Sequence, residues 1–254
     1  METGVTSSRK SGGATTSHTI MVPALQRLLS AVGAVADPKA YQAAVLDGNV
    51  LGKDTIGARR RTFRYLRELY SLNRDVMVFR ALSDLWPEDP EGQPLLAGLC
   101  ALARDPVFRA SSDAVFNAEA GDQMNPAALA EAVERVFPET YSEATLAKIG
   151  RNTCASWEQS GHLMAQSRTL KLRQRAVCTP ATTAFALFLG HLEGFAGAQL
   201  LDTLWVRALD RPRAHVVELA AVASQRSLID FRHSGGVMEV RFAVLARPAE
   251  GQLL

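Results

Sequence analysis

Apolar residues recur at three- and four-residue steps from Pro23 to about Gly121, the spacing of helices that each bury one stripe. Leu25, Leu28, Leu29 and Val32 form a first stripe. Tyr41, Ala44, Val45 and Leu46 form a second, opened by Asp37-Pro38, a start signal. Phe63, Leu66, Leu69 and Tyr70 form a third inside the run Asp54–Arg80. Val76, Phe79, Leu82 and Leu85 predict another helix, stopped by Pro87 and Pro90. Leu95, Leu96, Leu99, Leu102 and Ala103 predict the next, and Val107, Phe108, Ala114, Val115 and Phe116 one more. Short connections containing Pro and Gly imply a compact bundle.

The pattern changes at Asn125-Pro126. Leu129, Ala132, Val133, Val136 and Phe137 predict a helix ended by Pro138. A second helix follows, with Thr140 and Glu143 spaced as a capping box and Ser142 as an alternative cap. It runs to about Ser160, where Gly161 stops it, and buries Leu146, Ile149, Thr153 and Trp157. The basic segment His162–Arg175 reads as extended. A helix, a short turn, a basic helix and a basic hairpin follow the order of a winged helix-turn-helix. After Thr179 three more apolar stripes (Ala184–Leu192, Leu200–Ala208, Val216–Val222) precede two strand-like runs, Leu228–Arg232 and Val237–Leu245, around Gly235-Gly236. The predicted fold is therefore mostly α: a helical bundle followed by winged helix-turn-helix units with short β-hairpins. Its expected divisions are a disordered tail at 1–18, a bundle at 19–122, a winged-helix-like domain at 123–178 and a second helical, winged-helix-like domain at 179–254.

A chain of 254 residues with 47% hydrophobic content can support a sizeable core. The net charge of +2 hides a blocked distribution. Residues 53–80 carry eight Lys or Arg against three acids, 82–143 three against twelve, and 148–175 six against one. Such blocks create local fields that the sum conceals. In the first block Arg59, Arg60, Arg61, Arg64, Arg67, Arg74 and Arg80 share one predicted helical stretch. Arg60, Arg64, Arg67 and Arg74 stand at i, i+4, i+7 and i+14, opposite the apolar stripe, as a row of cations able to hold a nucleic-acid backbone. The alternative is a solubilising basic face.

Catalytic signatures are missing from the sequence. There is no phosphate-binding glycine loop and no nucleophile elbow, and the five histidines have neither i, i+4 pairing nor a cysteine cluster, so no metal, no cofactor and no enzymatic activity is expected. Asp230, Glu239 and Arg241 follow the order of a metal-dependent nuclease hairpin, but Arg241 stands where a lysine is needed and cannot deprotonate; alternation on a solvent-facing hairpin is the simpler reading. Cys100, Cys154 and Cys178 are odd in number and predict no disulfide framework. No apolar run approaches a membrane span and the Ser/Thr/Gly-rich start lacks the apolar core of a signal peptide, so a cytoplasmic protein with no membrane partner is expected.

Three stretches together resemble one family. Asp47–Lys53 leads into "ARRRTFRYLRELYSL" at 58–72; "PLLAGLCALARDPVFRASSDAVF" at 94–116 gives two helices; and "SEATLAKIGRNTCASWEQSGHL" at 142–163 gives a capped helix with a Gly-x-Leu exit. This order resembles the BrxA family of the BREX phage-defence systems. The resemblance implies a NusB-like N-terminal bundle joined to winged-helix elements, and binding of double-stranded DNA without enzymatic activity, beside other BREX proteins. It places the family's arginine helix on Arg59–Arg67 and its helix-turn-helix on Ser142–Gly161.

On this reading Arg60, Arg61, Arg64 and Arg67 contact phosphates, Lys148, Arg151 and Asn152 approach bases or backbone, and Arg168, Lys171, Arg173 and Arg175 form a wing along the backbone. The competing expectations are a protein-interaction scaffold within a defence complex and an RNA-binding, NusB-like protein.

Overall fold

Side-chain caps and prolines set most helix boundaries. The computed structural model describes residues 3, 5, 12–167 and 170–247. Asp37 accepts from the Ala40 amide and opens α2 (Pro38–Leu46), after α1 (Val22–Val32). Thr55 opens α3 (Ile56–Tyr70) in the same way. α4 (Met77–Leu85) and α5 (Gln93–Arg104) follow, then α6 (Pro106–Ala110) and α7 (Ser112–Phe116). The last two replace the single helix expected there. Ser111 separates them, its hydroxyl donating to the Phe108 carbonyl and accepting from the Trp157 indole N–H at 2.9 Å.

The arginine run is not one helix. α3 stops at Tyr70, and Ser71 and Leu72 both take positive φ, 67° and 54°. Left-handed backbone costs a non-glycine residue roughly 1–2 kcal/mol. Leu72, 1% exposed, offsets that cost by turning its side chain into the core. Arg74 therefore leaves the predicted row, and Arg80 leaves the predicted helical stretch. Arg74 pairs with Asp84 at 2.9 Å, and Arg80 is buried on α4, donating to the carbonyls of Arg74 and Arg247.

Asn125 and Pro126 open α8 (Pro126–Val136), and Ser142, not Thr140, caps α9 (Glu143–Gln159). The two helices meet at Gly150, where a Cβ would lie 2.1 Å from the Pro126 carbonyl oxygen. β1 (Gln123–Met124) precedes this pair, and β2 (Leu163–Ala165) and β3 (Lys171–Arg173) follow it. All three form one antiparallel sheet in the order β1-β3-β2, with Gln123 opposite Leu172 and Leu163 opposite Arg173.

Thr179 opens α10 (Pro180–Leu192) with a full capping box. The next apolar stripe splits into a 3-10 segment, Gly197–Asp202, and α11 (Leu204–Arg207), because the Thr203 hydroxyl bonds the Leu200 carbonyl and caps the new helix. α12 (Arg213–Gln225) leads into β4 (Asp230–Ser234) and β5 (Val237–Arg241). Gly235 and Gly236 have φ of 57° and 80°, which the tight two-residue turn between these strands requires.

One apolar cluster runs from Ala14 through Trp157 and Trp205 to Leu245, so the bundle and the C-terminal unit share a core. A smaller cluster of Val107, Ala110, Val133, Phe137 and Ile149 joins α6 to α8 and α9. No helix among the described residues is long and apolar enough to cross a membrane.

His162 marks the seam between α9 and the C-terminal unit. It is 1% exposed, its Nε2–H donates to the Ala208 carbonyl at 2.8 Å, and Nδ1 meets the Ser160 hydroxyl at 2.9 Å. Burial drives its pKa down from 6.5 to about 3, helped by Arg173 and Arg211 and opposed by the Ala208 bond. The folded state thus resists a proton that the unfolded chain accepts. Stability from this site is complete above about pH 6.5 and is lost as pH falls toward 3, by about 1.4 kcal/mol per unit within that window. Thermal melts between pH 7.5 and 5 should show this slope, and His162→Gln should flatten it at some cost in stability at neutral pH. A variant as acid-sensitive as the parent would overturn the assignment.

Candidate nucleic-acid interface

α3 rests on the core through Phe63, Leu66, Leu69 and Tyr70, and that fixes where its arginines point. Arg60, Arg61, Arg64 and Arg67 are all exposed, and none of the four has an ion pair among the described residues. Arg59 does not join them. It donates to the carbonyls of Leu46 and Lys53, which holds the end of α2 and the following loop. The Arg64 guanidinium lies 4.8 Å from the Tyr65 ring centre and that of Arg67 lies 5.9 Å from Phe63. Both are cation–π distances, so the charges are held near aromatic surface.

Residues 12–18, expected in a disordered tail, are ordered. Ala14–Thr16 forms a 3-10 turn in which Ala14 and Thr15 are fully buried. The Asp105 carboxylate holds it. Asp105, 2% exposed, accepts from the Thr15 amide at 2.9 Å, the Thr15 hydroxyl at 2.8 Å and the Phe108 amide at 2.9 Å. Burial raises its pKa and these donors lower it. Beyond the turn, the Ile20 carbonyl accepts from the Tyr70 hydroxyl of α3, and the Ile20 amide donates to Ser156 of α9. Gln159 of α9 accepts from the Val22 amide and donates to the Thr19 hydroxyl. The segment is therefore stitched between the arginine helix and α9.

His18 sits on this segment, packed at a tilt against Tyr65 with ring centres 4.2 Å apart. Its pKa is lowered, first by burial and then by the charges of Lys148, Arg61, Lys53 and Arg64. Those four come from the loop before α3, from α3 itself and from α9. Charges from both basic blocks of the sequence thus act on one imidazole, and the acidic block between them supplies the carboxylate that holds the seam.

The remaining expected residues divide. Lys148 and Arg151 are exposed on α9 and Arg175 is exposed beyond β3. Asn152 does not reach outward: its amide donates to the Thr15 carbonyl at 3.0 Å. Lys171 is paired with Glu158. Arg173 is only 3% exposed; it binds the carbonyls of Val115 and His162 and pairs with Asp210 at 3.0 Å. Its guanidinium is enclosed by these partners, so it cannot form part of a wing surface. Arg168 lies outside the described residues. In the last hairpin Glu239 pairs with Arg241 and Asp230 lies 3.7 Å from Arg232, so these carboxylates face arginines.

Sequence reasoning missed His18, Lys53 and Tyr65. Tyr65 was findable, since it follows Arg61 by one helical turn. His18 was hidden by the Ser/Thr-rich composition around it. The assembled site offers fixed cations and aromatic faces, which suit a chain of phosphates carrying flat bases.

Gly13 faces Asp105 so closely that a Cβ would lie 2.5 Å from its Oδ1. Gly13→Ala should cost about 1–3 kcal/mol of stability, the usual range for overpacking, and should raise amide hydrogen exchange across 14–20. Unchanged protection there would show that Asp105 does not anchor the segment. No family model matches the chain, and no curated protein matches it.

Proposed function

We propose that this chain is a non-enzymatic DNA-binding accessory protein of a bacterial phage-defence system of the BREX type. The observation that carries DNA binding is the set of exposed cations Arg61, Arg64 and Lys148 on α3 and α9, which have no ion pair among the described residues and whose charges, with that of Lys53, act on His18. Exposed Arg60, Arg67, Arg151 and Arg175 extend the available charge. The order β1-α8-α9-β2-β3, with β3 central, supports a winged helix-turn-helix in which α9 is the reading helix. Phosphate contacts give position and most of the affinity; Lys148 and Arg151, exposed on α9, would make any base contact. The defence role rests on the BrxA resemblance of residues 47 to 165.

A second reading, docking to a partner protein, is favoured at the C-terminal unit by one observation. A cleft of about 480 Å³ there is lined by Leu201, Val217 and Met238, and Val237 beside it is 71% exposed. The two roles can coexist on one molecule, since the cleft and the cation cluster use different elements.

Mobility shift with a short duplex should show affinity falling by about three orders of magnitude between about 50 and 200 mM salt. Replacing both Arg61 and Lys148 with Ala should lower the salt slope by about two. Lys171→Ala should leave it nearly unchanged. Absence of duplex binding at low salt would overturn the proposal.

Bound phosphates would screen the four cations around His18 and so favour its protonated form. Affinity should therefore rise as pH falls through about 6.5 and below, because the pKa of His18 in the free protein is lowered from that value and bound phosphates return it toward that value. His18→Gln should remove that dependence; a pH response surviving the substitution would assign it to another group.

A further inference from the structure

The arginines of α3 serve two surfaces, and only one is the cluster around His18. On the other side lies a recess of about 640 Å³ between α2 and α3. Leu46 and Gln42 form its α2 wall, and Arg60, Arg64 and Arg67 stand along its α3 wall above Phe63. Arg104 of α5 closes one end, its Nε–H bound to the Glu68 carbonyl at 3.2 Å. Four guanidinium groups thus face a space containing one carboxyl, Glu68, whose pKa is raised chiefly by burial. Concave sites lined by one sign of charge concentrate counter-charge.

The recess is largely open to solvent along the arginine row, so a duplex backbone can run along its outer edge while a single base reaches in between the helices. A recess of this size is on the scale of small-ligand sites. Its chemistry is divided: apolar surface from Leu46 and Phe63, cations at the rim, and neutral hydrogen-bonding groups from Gln42 and Ser71. A nucleotide is divided in the same way, with a flat heterocycle, polar edges and an anionic phosphate. Guanidinium planes also stack on bases. A second recess of about 320 Å³ shares Gln42, Phe63, Arg67 and Ser71 and adds Lys39 and Asn73, so the track continues beyond one unit.

From this geometry we infer that the α2–α3 recess receives an unpaired nucleotide of the bound DNA, such as a bulged base or the first residue of a single-stranded overhang. Its base lies against Leu46 and the exposed edge of Phe63, beside the Arg67 guanidinium, and its phosphates lie on Arg60, Arg64 and Arg67. The inference rests on the proposed DNA binding and adds a structural preference within it.

The test uses the full chain, with one duplex sequence presented blunt, with a single-nucleotide bulge, or with a short overhang. The bulged and overhanging forms should bind about tenfold tighter, within the range that stacking one base supplies. Gln42→Trp fills the recess while leaving every cation in place. Gln42 is exposed, so the change should not unfold the protein, which a thermal melt checks. The variant should bind all three forms as the parent binds the blunt duplex. Equal affinity of the parent for the three forms, or a preference that survives Gln42→Trp, would overturn this inference and leave duplex binding standing. Loss of duplex binding in the parent would overturn both.

Discussion

The arrangement of the basic surface depends on one buried carboxylate. Removing Asp105 from water is costly unless its oxygens find donors, and three are supplied by Thr15 and Phe108. The same group starts α6 and fixes the N-terminal segment. That segment then bonds α3 through Tyr70 and α9 through Asn152, Ser156 and Gln159. The relative placement of the arginine helix and α9 is thus referred to a contact on neither helix. Interactions of this kind are strongly coupled, because each bond holds the geometry that the next one needs.

Arginine does two kinds of work in this molecule. Arg59, Arg80, Arg109 and Arg173 use their several N–H groups to satisfy carbonyls at helix ends and loops. Arg60, Arg61, Arg64 and Arg67 bond no acid among the described residues and stay in solvent. Neighbours in sequence, such as Arg59 and Arg60, fall into opposite groups because one helical step turns the side chain by about 100°. Counting basic residues in a window therefore overstates the surface charge. Lysine at position 173 could not replace the planar fork that serves several carbonyls and Asp210 together.

Much of the helical order was legible because it depends on local signals. The apolar stripes and the caps Asp37, Asn125 and Ser142 act within a few residues. The turn at Gly235-Gly236 was legible for the same reason. What remained hidden was settled by long-range packing. The left-handed turn at Ser71-Leu72 has no glycine to announce it; burial of Leu72 imposes it. The ordered segment at 12–18 looks like a polar tail until Asp105 is beside it. In the site, the exposed arginines of α3 followed directly from the stripe beneath them. Arg173 and Asn152 were misplaced because their partners lie on other elements: Val115 and Asp210 for one, Thr15 for the other.

The stitching of the N-terminal segment to α9 also bears on how the chain acquires its charge pattern. The contacts from Ile20 to Ser156 and from Val22 to Gln159 span 136 and 137 residues. Loops of that length close late, since their entropy must be overcome before their bonds repay it. During synthesis the arginine helix emerges well before Lys148 and before the residues that hold His18 against Tyr65. The basic surface is therefore a product of the finished fold, and a chain interrupted before α9 would carry the cations without their alignment.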